Sequence, residues 1–251
     1  MSTSQTLSER ADALEHQQMQ MLGDQIVTKS LLYNLADGER SLGSGFAVGS
    51  GQRLLMGEDP RLPEMPANPT LIDFFNLRFS PSQQHLLQSA NLARKNGLSE
   101  QMVMACLLHD IAVTGFIRSD HGYWGAQLIE PYVDEEVSWA IRMHQCLRFF
   151  PDESVGYAYP DNYVRMFGED YAPEPYIVAE YQRAKDHKWY MSARMICVND
   201  LYSFDPDMVV ELGEFEDVIG RHFRQPAEGL GNDNTPASHM WRTLRRPCNA
   251  L

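Results

Sequence analysis

Apolar residues along the chain recur at three- and four-residue spacing rather than in alternation, which predicts helices almost throughout and leaves strands hard to find. Residues 8–36 carry Leu14, Met19, Met21, Leu22, Ile26, Leu31 and Leu32 at loose helical spacing. This amphipathic segment either packs on the main body or serves self-association into a homo-oligomer. From Ser41 to Pro69 the pattern breaks. The stretches SLGSGFAVGSGQ and GEDPRLPEMPANP put glycine and proline where neither helix nor strand persists, so a loop-rich connector is expected. No Gly-Lys-Ser/Thr follows those glycines and no strand precedes them, so they read as surface loop and not as a phosphate cradle.

The body begins near residue 71. Ser80-Pro81-Ser82-Gln83 predicts a helix start, with Ser80 as cap, Pro81 at the first helical position and Gln83 at the third, which places His85 in the early turns. Ser99 caps a second helix through QMVMACLLHDIAV, apolar on nearly every side and therefore buried, with His109 and Asp110 in its C-terminal part. A third runs through GYWGAQLIEPYV just after His121. In a fourth, DEEVSWAIRMHQCLRF, Val137, Ile141 and His144 fall at i, i+4 and i+7, so His144 faces inward. MSARMICVNDLYSF gives a further helix in which Ile196 and Asp200 share a face. From Gln225 onward the chain reads as extended or loose. The expected organisation is all-α, with an N-terminal helical extension and connector over residues 1–70, the main domain over 71–224 and a tail over 225–251.

Composition narrows the partners. A chain of 251 residues with 43% hydrophobic content can bury the core of one large domain or two small ones. Its net charge of −13 repels phosphate backbones and anionic lipid, so neither nucleic acid nor membrane is expected as a partner. The longest apolar run, Met102 to Leu108, is far shorter than the roughly 18–20 residues of a membrane span. The N-terminus lacks a basic-then-apolar signal pattern. A cytoplasmic location is expected. Cys106, Cys146 and Cys197 lie in apolar, helix-like runs and read as reduced core thiols, which agrees with a reducing compartment.

Four of the eight histidines, His85, His109, His121 and His144, fall within one 60-residue window. With Asp110 and Asp200 they lie in or beside strongly apolar helices, where uncompensated carboxylates cost several kcal/mol each. A cation compensates. Imidazole with carboxylate suits divalent zinc, iron or manganese, whereas an all-oxygen set would suit magnesium or calcium. His109 and Asp110, adjacent in sequence, project about 100° apart on a helix and so straddle a metal. With His85 and Asp200 on one side, and His121 and His144 on the other, Asp110 is the natural bridge of a dinuclear centre.

The order His85, His109-Asp110, Asp200 resembles the H…HD…D pattern of the HD-domain superfamily, over roughly residues 80–205. The two additional histidines, His121 and His144, match its dinuclear members. The run HGYWGAQLIEPYVDEEVSWAIRMH is similar to the mixed-valent diiron oxygenases of that superfamily, a group that includes the phosphonate-cleaving HD oxygenase and myo-inositol oxygenase. The resemblance implies an HD-domain helical bundle with a central dinuclear metal site. It also implies two iron ions in a mixed-valent Fe(II)/Fe(III) state, with zinc or manganese as the alternative, and a small-molecule substrate with O2.

One position departs from that group: Val113 stands four residues after His109, where many relatives carry a lysine or histidine that touches substrate. Arg148, four residues after His144, stands where the phosphonate enzyme has a basic substrate contact, and its guanidinium suits a carboxylate or phosphonate. Residues 157–190 hold seven of the eleven tyrosines and read either as a lid over the metal pocket or as an extra helix pair packed by aromatics. His16, His187, His222 and His239 sit among polar residues and are not assigned as ligands. The expected activity is an O2-dependent oxidation or cleavage of a small hydroxylated or amine-bearing substrate. Metal-dependent phosphohydrolysis and a cyanamide-hydratase-like hydration are the alternatives.

Overall fold

The computed structural model describes Arg10, Ala13 and residues 63–80, 82–115 and 120–245. Apart from Arg10 and Ala13, the expected N-terminal helix and most of the connector lie outside the described residues. Those two positions are helical, and Arg10 pairs with Asp207. The body is built from α1 (Leu71–Leu77), α2 (Gln83–Lys95), α3 (Glu100–Leu108), α4 (Ile111–Gly115), α5 (His121–Ile129) and α6 (Glu135–Leu147). It continues with α7 (Asp161–Phe167), α8 (Pro175–Ala184), α9 (Tyr190–Leu201), α10 (Glu216–His222) and α11 (Ser238–Arg245). Among the described residues the extended pairing is limited to an isolated bridge between Asp152 and Tyr157, so the architecture is the all-α bundle expected. No helix among them is long and apolar enough to cross a membrane.

Local chemistry sets the helix ends. Thr70 and Asp73 open α1 with a reciprocal capping box, the Thr70 hydroxyl accepting from the Asp73 amide and the Asp73 carboxylate from the Thr70 amide. Ser99 caps α3 as expected, its hydroxyl accepting from the Met102 amide at 3.4 Å. The start of α2 differs from the sequence reading. Its N-cap is Ser82, not Ser80, and Ser82 donates its hydroxyl back to the Phe79 carbonyl instead of capping the helix.

A second difference matters more for the site. The apolar run through Val113 predicts one continuous helix, but α3 ends at Leu108, His109 occupies its C-cap and a short new helix starts at Ile111. The pair His109-Asp110 thus lies at a joint between two helices.

Helix α6 is central, packing against α3, α5, α8 and α9, while α2 packs on α3 and α9. The interior of this bundle contains the buried residues Met102–Leu108 of α3 together with Val137, Ile141, Leu147, Ile196 and Cys197. Cys106, Cys146 and Cys197 are free and buried. The close approach of α5 to α6 depends on Gly122, since a Cβ there would stand 2.7 Å from the Ile141 carbonyl oxygen and 3.2 Å from His144 Cε1. Over its described residues, 225–245, the tail is not loose. Its helix α11 buries Trp241 completely against Phe74 and Tyr132, with the indole N–H donating to the Leu128 carbonyl.

Candidate metal centre

Each half of the centre is assembled from different helices. His85 comes from the first turn of α2, His109 and Asp110 from the joint after α3, and Asp200 from the C-terminal turn of α9. His121 is the first residue of α5 and His144 lies in the last turn of α6. All four histidines are buried. The donor atoms fall into two groups that share Asp110: His85, His109, Asp110 and Asp200 in one, and Asp110, His121 and His144 in the other. The six residues singled out from the sequence are therefore brought together, in the two sets expected, and Asp110 stands between them.

The distances have a definite pattern. His85 Nε2 lies 3.1 Å from His109 Nε2 and 3.1 Å from Asp200 Oδ1. On the other side His121 Nε2 lies 3.1 Å from His144 Nε2 and 3.1 Å from Asp110 Oδ1. The second oxygen, Asp110 Oδ2, is 3.5 Å from His85 Nε2, so the two carboxylate oxygens serve opposite halves. Ligand bonds of ~2.0–2.2 Å place neighbouring donors in a coordination shell roughly 3.0–3.5 Å apart. The spacing fits that requirement.

Tautomers reinforce it. His109 Nδ1 is 2.7 Å from the Cys106 carbonyl and His144 Nδ1 is 2.5 Å from the Ile141 carbonyl, acceptors that require an N–H on each ring. Ser203 donates its hydroxyl to the Asp200 carbonyl at 2.6 Å, so at 2.7 Å it accepts from His85 Nδ1. In their neutral forms these three rings therefore turn bare Nε2 lone pairs into the centre, the arrangement in which a backbone or hydroxyl partner fixes a metal-binding histidine. Phe204 stacks on the His85 ring at 4.2 Å and holds its plane.

The field of the centre favours positive charge. Burial opposes ionisation of Asp110 and Asp200, but the surrounding imidazoles outweigh it and hold both carboxyls well below the usual carboxylate range. Burial likewise disfavours the His85 imidazolium, yet hydrogen bonds to Asp110 and Asp200 raise its pKa to about 10. His109 is also raised, by the same two carboxylates against its burial. His144 goes the other way: burial, with His121 and His109 alongside, lowers it to about 4 despite Asp110. Asp110 Oδ1 is buried and makes no hydrogen bond of good geometry among the described residues, although His121 Nε2 is close. A buried acceptor left in this state, facing converging nitrogens, fits a bridging ligand to two cations. The residues present thus fit a pair of divalent metals of the nitrogen- and oxygen-binding type.

Residues 83–165 match the family model for the HD domain. That stretch carries five of the six clustered residues and Arg148, and stops short of Asp200. The matched stretch runs from α2 into α7, and the remaining donor is supplied by α9, beyond it. No curated protein matches the chain.

Beside the centre, Arg148 lies with a guanidinium nitrogen 3.5 Å from His121 Nε2 and with its planar group 4.5 Å from the centre of the Tyr163 ring. Residues 157–190 contain the two helices α7 and α8. Tyr163, Phe167 and Tyr171 gather around Phe149, and Tyr181 stacks on Phe150 at 3.9 Å. Because Tyr163 also carries Arg148, α7 covers the guanidinium beside the centre. Val113 is buried. His187 stacks on Trp139, His222 pairs with Glu100, and His239 bonds the Pro236 carbonyl, none of them joining the centre. His16 lies outside the described residues. Two partners were not found by sequence reasoning: Ser203, three residues after Asp200, and Gln145, next to His144. Neither residue type carries a metal signal of its own.

Proposed function

We propose that the chain is an HD-domain diiron oxygenase that uses O2 to oxidise or cleave a small hydroxylated or amine-bearing organic substrate. The observation that carries this reading is the Asp110 carboxylate placed between two histidine pairs, in a donor set of four imidazoles and two carboxylates. That set is rich in nitrogen and free of thiolate, which suits redox-active iron held with open positions. When bound, the iron pair would supply the one-electron chemistry and the binding of O2 that no side chain here provides.

The chain's own residues have separable tasks. Arg148 binds an anionic or strongly polar group of the substrate beside His121, and Tyr163 orients the guanidinium by stacking. The aromatic layer of Phe149, Tyr163, Phe167 and Tyr171 excludes water from that side. Ser203 and the Cys106 and Ile141 carbonyls hold the ring protons on Nδ1, away from the centre. Val113 leaves the position four residues after His109 apolar, which removes one cationic contact and favours a substrate of lower charge than a phosphate ester.

Metal-dependent phosphohydrolysis is the second reading, favoured by the HD-domain match and by the guanidinium of Arg148 beside the centre. A cyanamide-hydratase-like hydration leaves His121 without a role. Metal analysis of protein purified without air, followed by electron paramagnetic resonance after partial oxidation, separates these readings. A coupled Fe(II)/Fe(III) signal perturbed by substrate supports the oxygenase. Full activity with zinc or manganese on phosphate esters in the absence of O2 replaces it with hydrolysis.

A further inference from the structure

The His121–His144 half of the centre is spanned by a side-chain bridge between α6 and α5. Gln145, the neighbour of His144 on α6, reaches across to α5. Its Oε1 accepts from the Gly122 amide at 2.8 Å, and its Nε2 donates to Asp120 Oδ1 at 3.2 Å. One side chain thus grips the residues on both sides of His121. Asp120 is the one non-glycine residue among those described with positive φ, at 58°, a conformation a short carboxylate side chain tolerates better than most. Its Oδ1 also accepts from the Tyr176 hydroxyl of α8 at 3.0 Å. Gly122 lets the two helices close to the distance at which this bridge forms.

We infer that Gln145 and Asp120 are positioning residues for the second metal, locking His121 against His144. The inference rests on the dinuclear reading of the centre and deepens it. Neither residue is among the clustered donors. The clamp sets the direction of the His121 ring by fixing the turn that begins α5, much as an outer-shell partner orients a ligand. The half formed by His85, His109 and Asp200 has its own supports and does not depend on it. The two metals are therefore separable: loss of the clamp leaves a chain that holds one ion.

The design of the bridge permits a rescue test. In Gln145→Glu the acceptor for Gly122 remains, but the donor to Asp120 is replaced by a second carboxylate. Adding Asp120→Asn restores a donor opposite Glu at 145, and asparagine also tolerates the left-handed backbone. Full-length, chelator-treated protein would be titrated with Mn(II) alone and followed by calorimetry and electron paramagnetic resonance, with circular dichroism confirming the fold. Wild type is expected to bind two ions per chain with a spin-coupled spectrum. Gln145→Ala and Gln145→Glu are expected to bind the second ion about 10- to 100-fold more weakly and show an isolated-ion spectrum at the same loading. The Asp120→Asn/Gln145→Glu double variant is expected to recover the coupled spectrum.

Coupled binding in Gln145→Ala at wild-type affinity, or a double variant no better than Gln145→Glu, would overturn the clamp while leaving the dinuclear centre standing. A wild-type chain that takes up fewer than two ions would overturn the dinuclear reading and the clamp with it. If Gln145→Ala does not fold, the comparison of Gln145→Glu with the double variant carries the test.

Discussion

His85 and His109 point their Nε2 atoms at each other across 3.1 Å, while the Nδ1 of each is committed to an acceptor on its other side. Two bare lone pairs cannot rest at that distance, so a cation belongs between them, a proton in its absence and a metal in its presence. Asp110 extends the same logic to the second pair. Replacing Asp110 by alanine is expected to abolish metal pairing, leaving at most one ion per chain by elemental analysis. Replacing His187, which stacks on Trp139 away from the centre, is expected to leave metal content unchanged. Equal metal loss in both variants would show that the ligand assignment is wrong.

On the proposed function, Arg148 binds substrate without holding metal. Its guanidinium stands beside His121 on the face of Tyr163, where a planar fork can bind an oxyanion. Arg148→Ala is expected to weaken binding of acetate and inorganic phosphate, used as probes on Mn(II)-loaded protein, by about 1.5–3 kcal/mol, or roughly tenfold or more. Arg148→Lys should recover only part of this, because a point charge lacks the two-pronged geometry. Metal stoichiometry should be unaffected in both; a parallel loss of metal would assign Arg148 to the support of the centre instead.

The acid side of the stability curve has its own cause. Glu100, at the start of α3, is bound by Arg221 and His222 of α10, and these hydrogen bonds lower its pKa from 4.5 to about 2. A depressed folded-state pKa means that the pairing contributes fully above the unfolded value of 4.5 and fades as pH falls toward 2. Denaturation midpoints measured from pH 7 to pH 2 should therefore show wild type ahead of Glu100→Gln at neutral pH, with the two converging in acid. A gap that persists unchanged at the lowest pH would place the stabilisation elsewhere.

The candidate centre was legible because metal chemistry restricts donor types severely. Four histidines and two aspartates in apolar surroundings stand out in a sequence, even from helices distant along the chain. What supports them was not legible. A serine at 203 and a glutamine at 145 are ordinary near helix ends, and their roles exist only through contacts with His85 and Gly122 made across the bundle. The break after Leu108 was hidden for a related reason. Ile111, Ala112 and Val113 continue the apolar pattern, while the joint is marked by the His109 ring bonding the Cys106 carbonyl, a contact periodicity cannot register. Helix α11 was missed because it is short and follows a stretch of glycine, asparagine and proline that reads as loop.

That last helix yields the strongest prediction about the fold. Trp241 is fully buried, lies edge-on to Phe74 with ring centres 4.7 Å apart, and donates its indole N–H to the Leu128 carbonyl at 2.8 Å. Leu128 belongs to α5, the helix that begins with His121, so the tail braces an element of the centre. Trp241→Ala removes the ring from a packed interior and strands the Leu128 carbonyl, a combination expected to cost about 3–5 kcal/mol. Trp241→Phe keeps most of the packing and loses the hydrogen bond, so its cost should be clearly smaller. Urea denaturation of the three proteins gives the comparison, and truncation after Ala237 should be at least as damaging as Trp241→Ala. If the truncated chain instead unfolds within about 1 kcal/mol of wild type, well below the usual cost of losing a buried tryptophan, the tail is an accessory and the brace on α5 does not exist.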